Sequence, residues 1–177
     1  TDITAFTFAN IGANTVTLTV TDSFDSSTDT CTATVTVVDN VAPTITAPAD
    51  LTPTTNTGCT ATGVALGSAT TNDNCSVATV TNDAPAAFPL GATTVTWTVT
   101  DGSGNTATDT QIVTVSDDDA PTITCPSDII TVTSADGTGN CTTAVSLGTP
   151  STADNCSVAS VTNDAPAVFP IGTTTVT

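Results

Sequence analysis

Aspartate and cysteine are the two residue types in this sequence that could carry chemistry. All 17 acidic residues are aspartate, and there are six cysteines and no histidine, lysine or arginine. Many of the aspartates lie beside asparagine in short polar runs between apolar stretches. Carboxylate and amide oxygens are the ligands that Ca2+ prefers, while cysteines form disulfides or bind soft metals. The residues therefore point to cation binding and disulfide chemistry.

The residues that are missing exclude other functions. Without histidine the chain has no Ser-His-Asp triad, no Cys-His pair and no imidazole ligand. A net charge of -17 with no basic side chain repels nucleic acid and anionic lipid. Pairs of aspartates can hydrolyse glycosides, but here they lie in repeated turns without pocket aromatics. We therefore predict neither an enzyme nor a nucleic-acid-binding protein.

The elements that must position these residues are β-strands. In Thr94–Asp101, apolar residues alternate with threonine, a period that places Trp97 and its apolar neighbours on one strand face. An Asp-Gly-Ser-Gly-Asn turn leads into a second alternating stretch, 107–115, so the pair predicts a β-hairpin. Trp97 is expected in a core rather than on a sugar-binding surface. The phrase recurs at 15–22, which indicates an internal repeat.

The repeat is about 80 residues long. Ala42–Thr46 recurs as Ala120–Thr124, 78 residues on, and Asp73–Ala78 recurs as Asp154–Ala159, 81 residues on. The offsets divide the chain into three segments: the late part of one repeat (1–38, the first segment), a complete repeat (39–116, the central segment) and the early part of a third (117–177, the last segment). Short acidic runs closed by proline join the segments, which favours extended crossings over flexible linkers.

Seven short strands are predicted in the central segment, with turn residues between them. Such spacing favours an all-β, immunoglobulin-like two-sheet sandwich, and a β-solenoid ranks second because it would need a shorter period. No apolar run is long enough to cross a membrane, so we expect no membrane insertion. The strands are expected near residues 43–47, 51–55, 60–66, 76–81, 87–90, 93–100 and 108–115.

The six cysteines occupy four positions of the repeat. Cys125 is at the first position, Cys59 and Cys141 at the second, Cys75 and Cys156 at the third, and Cys31 at the fourth. In the central segment the first and fourth are replaced together, by Ala47 and Gln111, whereas the second and third are kept. A cysteine left without its partner would be a liability in an oxidising compartment, so the joint loss predicts that the first position bonds to the fourth and the second to the third. We therefore expect Cys59–Cys75 and Cys141–Cys156. Each would close a short loop and stabilise the fold by about 3 kcal/mol.

The cysteine pattern also bears on location and on neighbours. Without CxxC spacing or histidine a zinc site is not expected, and disulfides predict a secreted or cell-surface protein. The partners of Cys31 and Cys125 would lie outside their own segments. Either the sequence is a window on a longer chain of repeats, which we favour, or copies stack head to tail with Cys125 bridged to Cys31 of a neighbour.

Four phrases carry a resemblance to a known family. A-P-T-I-T-C-P, D-N-C-S, F-P-I-G-T-T-T-V-T and T-V-T-D-G-S-G-N-T-A-T occur in order and resemble the hyalin repeat, or HYR, family. The resemblance covers essentially the whole chain. It implies immunoglobulin-like sandwiches used in extracellular adhesion.

Calcium at the segment junctions is the predicted metal site. In such a sandwich the last hairpin turns at the pole where the chain enters, so turn aspartates should meet the junction aspartates. The alternative is that aspartate simply suits turns and keeps the surface soluble. The candidate ligands are Asp39, Asn40, Asp101 and Asn105 at the first junction, Asp22 and Asp25 in the first segment, and Asp117, Asp118, Asp119 and Asp83 at the second junction.

These observations together predict a structural or adhesive segment of an extracellular filament, made of stacked sandwiches. Its expected partners are further repeats of the same chain or head-to-tail copies, with surface glycans or proteins as further candidates. One alternative is a calcium-dependent module that binds a glycan or protein directly. Another is a spacer within a secreted multidomain enzyme.

Overall fold

The alternating stretches form antiparallel hairpins in the computed structural model, which describes residues 6–133, 139 and 141–177. The fold is all-β, as predicted. No helix in the described ranges is long and apolar enough to span a membrane. A 3-10 turn covers Phe8–Asn10, and the strands are β1 (Gly12–Thr21), β2 (Thr28–Val37), β3 (Thr44–Thr46), β4 (Thr60–Thr62), β5 (Thr70–Asn72), β6 (Val77–Asn82), β7 (Ala87–Pro89), β8 (Gly91–Asp101), β9 (Thr106–Val115), β10 (Thr122–Thr124), β11 (Thr142–Thr143), β12 (Ser151–Ala153) and β13 (Phe169–Pro170).

The central segment is built in two layers. One layer is the sheet β6-β8-β9, extended by the stretch 51–55, which runs parallel to β9 through bridges from Leu51 to Val113 and from Thr54 to Ser116. The strand pairs β3-β5 and β4-β7 form the other layer. Side chains from both layers meet in one core, so the segment is a β-sandwich. The buried apolar members of this core are Ala61, Phe88, Val95, Trp97, Val113 and Val115.

Alternation along β8 and β9 determines which side chains enter the core. Val95, Trp97 and Val99 are buried, and Thr94 on the opposite face is exposed. The prediction that Trp97 is a core residue is confirmed, since only 6% of its surface is exposed. β5 is an additional short strand that the sequence pattern did not indicate.

A buried glutamine replaces the cysteine expected at the fourth repeat position. Gln111 is fully buried, and its Oε1 accepts a hydrogen bond from the Trp97 indole at 3.2 Å. Its Nε2 donates to the carbonyl oxygens of Ala49 at 2.6 Å and Leu66 at 3.1 Å. The amide therefore links β9 to the residues just after β3, where Ala47 occupies the first cysteine position.

The other two segments reproduce parts of this arrangement. In the last segment β10 pairs with β12 and β11 with β13, in the registers of β3-β5 and β4-β7. The first segment contributes the hairpin β1-β2, in which Gly12 faces Val37 as Gly91 faces Val115. Unlike β8-β9, this hairpin leaves Leu18 and Val20 more than half exposed.

Candidate metal centre and the cysteine bridge

Three carboxylates meet at the pole where the chain enters the central segment. Oxygens of Asp39, Asp73 and Asp101 all lie within 4.8 Å of one another, and no other such acidic group occurs in the described residues. Asp39 follows β2, Asp73 follows β5 and Asp101 ends β8. Because they come from separate stretches of chain, their proximity depends on the folded sandwich and on the path of the junction.

The tight turn after β8 fixes the Asp101 carboxylate. Asp101 is only 2% exposed. Its Oδ1 accepts hydrogen bonds from the backbone N–H of Ser103 at 2.9 Å and of Asn105 at 2.8 Å, and its Oδ2 accepts one from the Asn105 side chain at 2.7 Å. Gly104 has φ of +94°, a conformation that glycine adopts without strain.

These contacts keep Asp101 ionised. Burial acts to raise the pKa of Asp101, but hydrogen bonds from Asn105, Ser103 and Gly104 outweigh it, so the pKa lies below its ordinary value. The carboxylate is therefore negative at neutral pH, although it is almost entirely removed from solvent. A negative group in such a place favours a bound cation.

Asp39 and Asp73 each leave one buried oxygen without a hydrogen bond. Asp73 Oδ2 accepts from the N–H groups of Cys75 and Ser76, and Asp39 Oδ1 accepts from Val41 N and the Asn74 amide. Asp73 Oδ1 and Asp39 Oδ2 are buried, and no described residue donates to them. Buried carboxylate oxygens are rarely left unpaired, so these two suit coordination of a hard cation.

Asn105 connects the hairpin turn to the junction. Its Nδ2 donates to the carbonyl oxygens of Asp39 and Val41, both at 3.3 Å, as well as to Asp101. The structure therefore brings together Asp39, Asp101 and Asn105, which the sequence assigned to one site. Asn40 is exposed beside them.

The remaining predicted ligands lie apart from this cluster. Within the part of the chain that the structure describes, none of them joins a group of three acidic ligands. Asp83 accepts from Thr96 N at 2.6 Å, in the middle of β8 rather than beside the second junction as expected. Asp22 accepts from the N–H groups of Phe24 and Asp25, Asp25 from Ser27, and Asp117 from Thr55 and Asp119, while Asp118 is exposed.

Asp73 is the member of the cluster that the sequence reasoning left out. The expected bond between Cys59 and Cys75 would have required the chain to double back near Gly67, a path that is compatible with Asp73 at the opposite pole. Instead β5 runs antiparallel to β3, with Asn72 opposite Thr44, so the next residue arrives beside the junction. The repetition of Asp-Asn-Cys-Ser at Asp154 was the one signal that this turn has a fixed role.

The predicted disulfide pairs are wrong. Cys59 is bonded to Cys156, 97 residues away, while Cys75 and Cys141 are free, as are the exposed Cys31 and Cys125. Cys59 lies near Leu90, just before β8 begins, whereas Cys75 lies near Asp101, where β8 ends. The 11 residues of β8 span roughly 35 Å, so the two cysteines are at opposite ends of the sandwich.

The bridge is supported by polar contacts between the central and last segments. Asn155, next to Cys156, donates from Nδ2 to Thr55 Oγ1 at 3.0 Å and to Gly58 O at 3.5 Å. Asp154 accepts from the N–H groups of Cys156 and Ser157, as Asp73 does in the equivalent turn. The Asp-Asn-Cys turn of the last segment thus docks on residues 55–59 of the central segment.

Many cell-surface domains share the β-sandwich architecture, and disulfides persist in oxidising environments. Comparison with family models shows that residues 38–115 match the HYR domain. Residues 38–115 thus match an extracellular and non-catalytic type of repeat, as the sequence resemblance predicted for this stretch. Comparisons with curated proteins and with solved structures gave no significant match.

Proposed function

We propose that this chain is a structural and adhesive segment of an extracellular filament, and that Ca2+ rigidifies its first junction. The observation that supports this proposal is the pair of unpartnered buried oxygens on Asp39 and Asp73, two residues that form one carboxylate cluster with Asp101. Without a cation, three carboxylates within 4.8 Å repel one another. A bound Ca2+ would convert that repulsion into attraction.

The choice of Ca2+ follows from the donor set. The cluster offers hard carboxylate oxygens and has no histidine, and Ca2+ tolerates irregular geometry with six to eight oxygens. Backbone carbonyls and water would complete the shell. Burial, a hydrogen bond to Asp39 and the charges of the three carboxylates raise the pKa of the Cys75 thiol, which disfavours a thiolate ligand at this place.

The mechanical consequence follows from where the ligands lie. Asp39 belongs to the junction that leaves β2, whereas Asp73 and Asp101 belong to the sandwich. An ion held by all three would fix the junction against the pole of the central segment. Successive segments would then behave as one stiff body instead of pivoting about Asp39–Pro43.

The partners that we propose are further repeats, from the same chain or from head-to-tail copies. The apolar face of β1-β2 supports this, since Leu18 and Val20 are exposed whereas the equivalent Trp97 and Val99 are buried. A second layer from another repeat would bury them. The net charge of -17 favours cations as mediators of such contacts.

Small-angle X-ray scattering with and without chelator tests the rigid-junction proposal. In Ca2+ the chain should give a longer maximum dimension and a narrower distribution of dimensions than in EGTA, and Ca2+ in excess should restore them. Mg2+ at equal concentration serves as the ionic-strength control, because it demands stricter octahedral geometry. Identical curves in Ca2+ and EGTA would contradict the proposal.

A further inference from the structure

We propose that the Cys59–Cys156 type of bond links each repeat to the next, and that tension along the filament runs through these bonds. This inference rests on the proposed structural role, but not on calcium binding. It starts from the observed connectivity, in which a second-position cysteine of the central segment is joined to a third-position cysteine of the last segment. The bond therefore spans the second junction.

Repeat equivalence gives the same function to Cys75 and Cys141, the two free cysteines at the second and third repeat positions. Cys75 corresponds to Cys156, and Cys141 corresponds to Cys59. Cys75 and Asn74 line a cleft of about 300 Å3 whose other walls include Val37 and Val38 of the first segment. Cys75 therefore faces the preceding repeat, as Cys156 does, and by equivalence with Cys59 we expect Cys141 to face the following one.

This connectivity changes which part of the chain is stretched. When the chain is pulled from its ends, the bond bears the load and residues 60–155 lie in a closed loop that feels none of it. The loop contains β4 to β12 and all six buried apolar residues of the Trp97 core, whereas β3 and Leu51, which pack against that core, lie outside it. In a series of such repeats, tension would run along the backbone between the third-position and second-position cysteines of each repeat. It would then pass through the disulfide into the next repeat. Only a short stretch, equivalent to 59–75, would be loaded.

The pattern of cysteine loss is consistent with this division of roles. The central segment lacks the first and fourth cysteines, where Ala47 and the buried Gln111 stand, yet it keeps the second and third. A bridge within one sandwich can be replaced by the Gln111 hydrogen bonds. A covalent link between sandwiches has no such substitute in a chain under tension.

Peptide mapping establishes the bond before any pulling experiment. The chain has no lysine or arginine for trypsin, but cleavage before aspartate separates the relevant cysteines into peptides 50–72, 73–82, 136–153 and 154–163. After oxidation by glutathione disulfide, two thiols lose two protons and two electrons, and two molecules of reduced glutathione form. We expect 50–72 linked to 154–163. A link from 50–72 to 73–82 would overturn the proposal.

Force spectroscopy on the full chain, held by thiol-free tags at both ends, tests the load path. The reduced chain should extend further than the oxidised chain by 97 residues, roughly 320–350 Å at 3.3–3.6 Å per residue. Cys59→Ser, or Cys156→Ser if the first variant folds poorly, should show the long extension without reductant. Cys75→Ser is the matched control and should behave as the unmodified chain does.

Two outcomes would overturn this proposal without affecting the calcium proposal. One is a gain of only about 16 residues, or about 31, which are the lengths released when one or both bonds within single repeats are reduced. The other is an oxidised Cys75→Ser variant that extends as far as the reduced chain, which would mean that residues 60–155 are no longer protected from the load. The experiment is run in Ca2+ and in EGTA, and the shielded length should be the same in both. A failure of ion binding is thereby distinguished from a failure of the bridge.

Discussion

Asp73→Asn should weaken Ca2+ binding by roughly tenfold or more, because ligand charge sets the affinity of calcium sites. The turn should survive, since the asparagine oxygen can take the place of Oδ2 and accept from Cys75 N and Ser76 N. The amide nitrogen then stands where the unpartnered Oδ1 stood and points a donor at the cation. Isothermal titration calorimetry measures the loss directly.

The same variant should reverse its effect on stability when calcium is removed. At a Ca2+ concentration of about 100 times the wild-type Kd, binding stabilises the wild type by about 2.7 kcal/mol, a rise in Tm on the order of 10 °C. A variant that binds tenfold more weakly should lose about half of this stabilisation, and a weaker binder should lose more. In EGTA the variant should be at least as stable as the wild type, because one of three repelling charges is gone. Asp29→Asn, an exposed aspartate outside the cluster, is the charge-matched control. Equal calcium responses in wild type and Asp73→Asn would contradict the site.

Gln111→Leu should lower the free energy of unfolding of the central segment by about 3 kcal/mol or more. Leucine fits the space but leaves three groups without their hydrogen bonds: the Trp97 indole N–H and the carbonyls of Ala49 and Leu66. A buried polar group left unpaired costs about 1–3 kcal/mol, and the lower end of this range is taken for each group because the Ala49 and Leu66 carbonyl contacts are only part-buried. Urea denaturation followed by Trp97 fluorescence reports the loss, since Trp97 is the one tryptophan.

Thr110→Val is the matched control for this prediction. Thr110 is the exposed neighbour of Gln111 on β9, so its change to an apolar residue should alter stability by less than about 0.5 kcal/mol. A Gln111→Leu variant as stable as this control would show that the buried amide network does not hold the two layers together.

The fold was largely predictable, because binary patterning and turn residues agree along the chain. Alternation of threonine with apolar residues predicted β8 and β9 and put Trp97 in the core, as the structure confirms. The stretch 51–55 was also expected as extended chain and joins β9. Short β5 was missed because Thr70–Asn72 has no apolar alternation to signal a strand.

The cysteine pairing was not predictable from one repeat at a time. Joint retention of Cys59 and Cys75 fits a bond between them, but it fits equally a repeat that needs one link on each side. Short loops favour the first choice by closure entropy alone. The distance along β8 decides against it, since the sandwich holds Cys75 beside Asp101 and Cys59 beside Leu90. The wrong expectation of a Cys59–Cys75 bond is also the reason why Asp73 was missing from the predicted metal site.

The sequence predicted the positions of only some of the junction aspartates, again because the remaining positions depend on strand register. Proximity of Asp39, Asp101 and Asn105 followed from the general geometry of a sandwich whose last hairpin turns at the entry pole. The position of Asp83 depended on how far β6 continues along β8, and its hydrogen bond to Thr96 shows that it continues past Asn82. Such a detail of register has no signature in composition or spacing.

The most direct test of the account is a long-wavelength anomalous difference map from crystals grown with Ca2+. We predict a calcium peak about 2.3–2.6 Å from Asp39 Oδ2, Asp73 Oδ1 and an oxygen of Asp101. A map with no anomalous peak between these three carboxylates at saturating Ca2+ would contradict the calcium-braced junction.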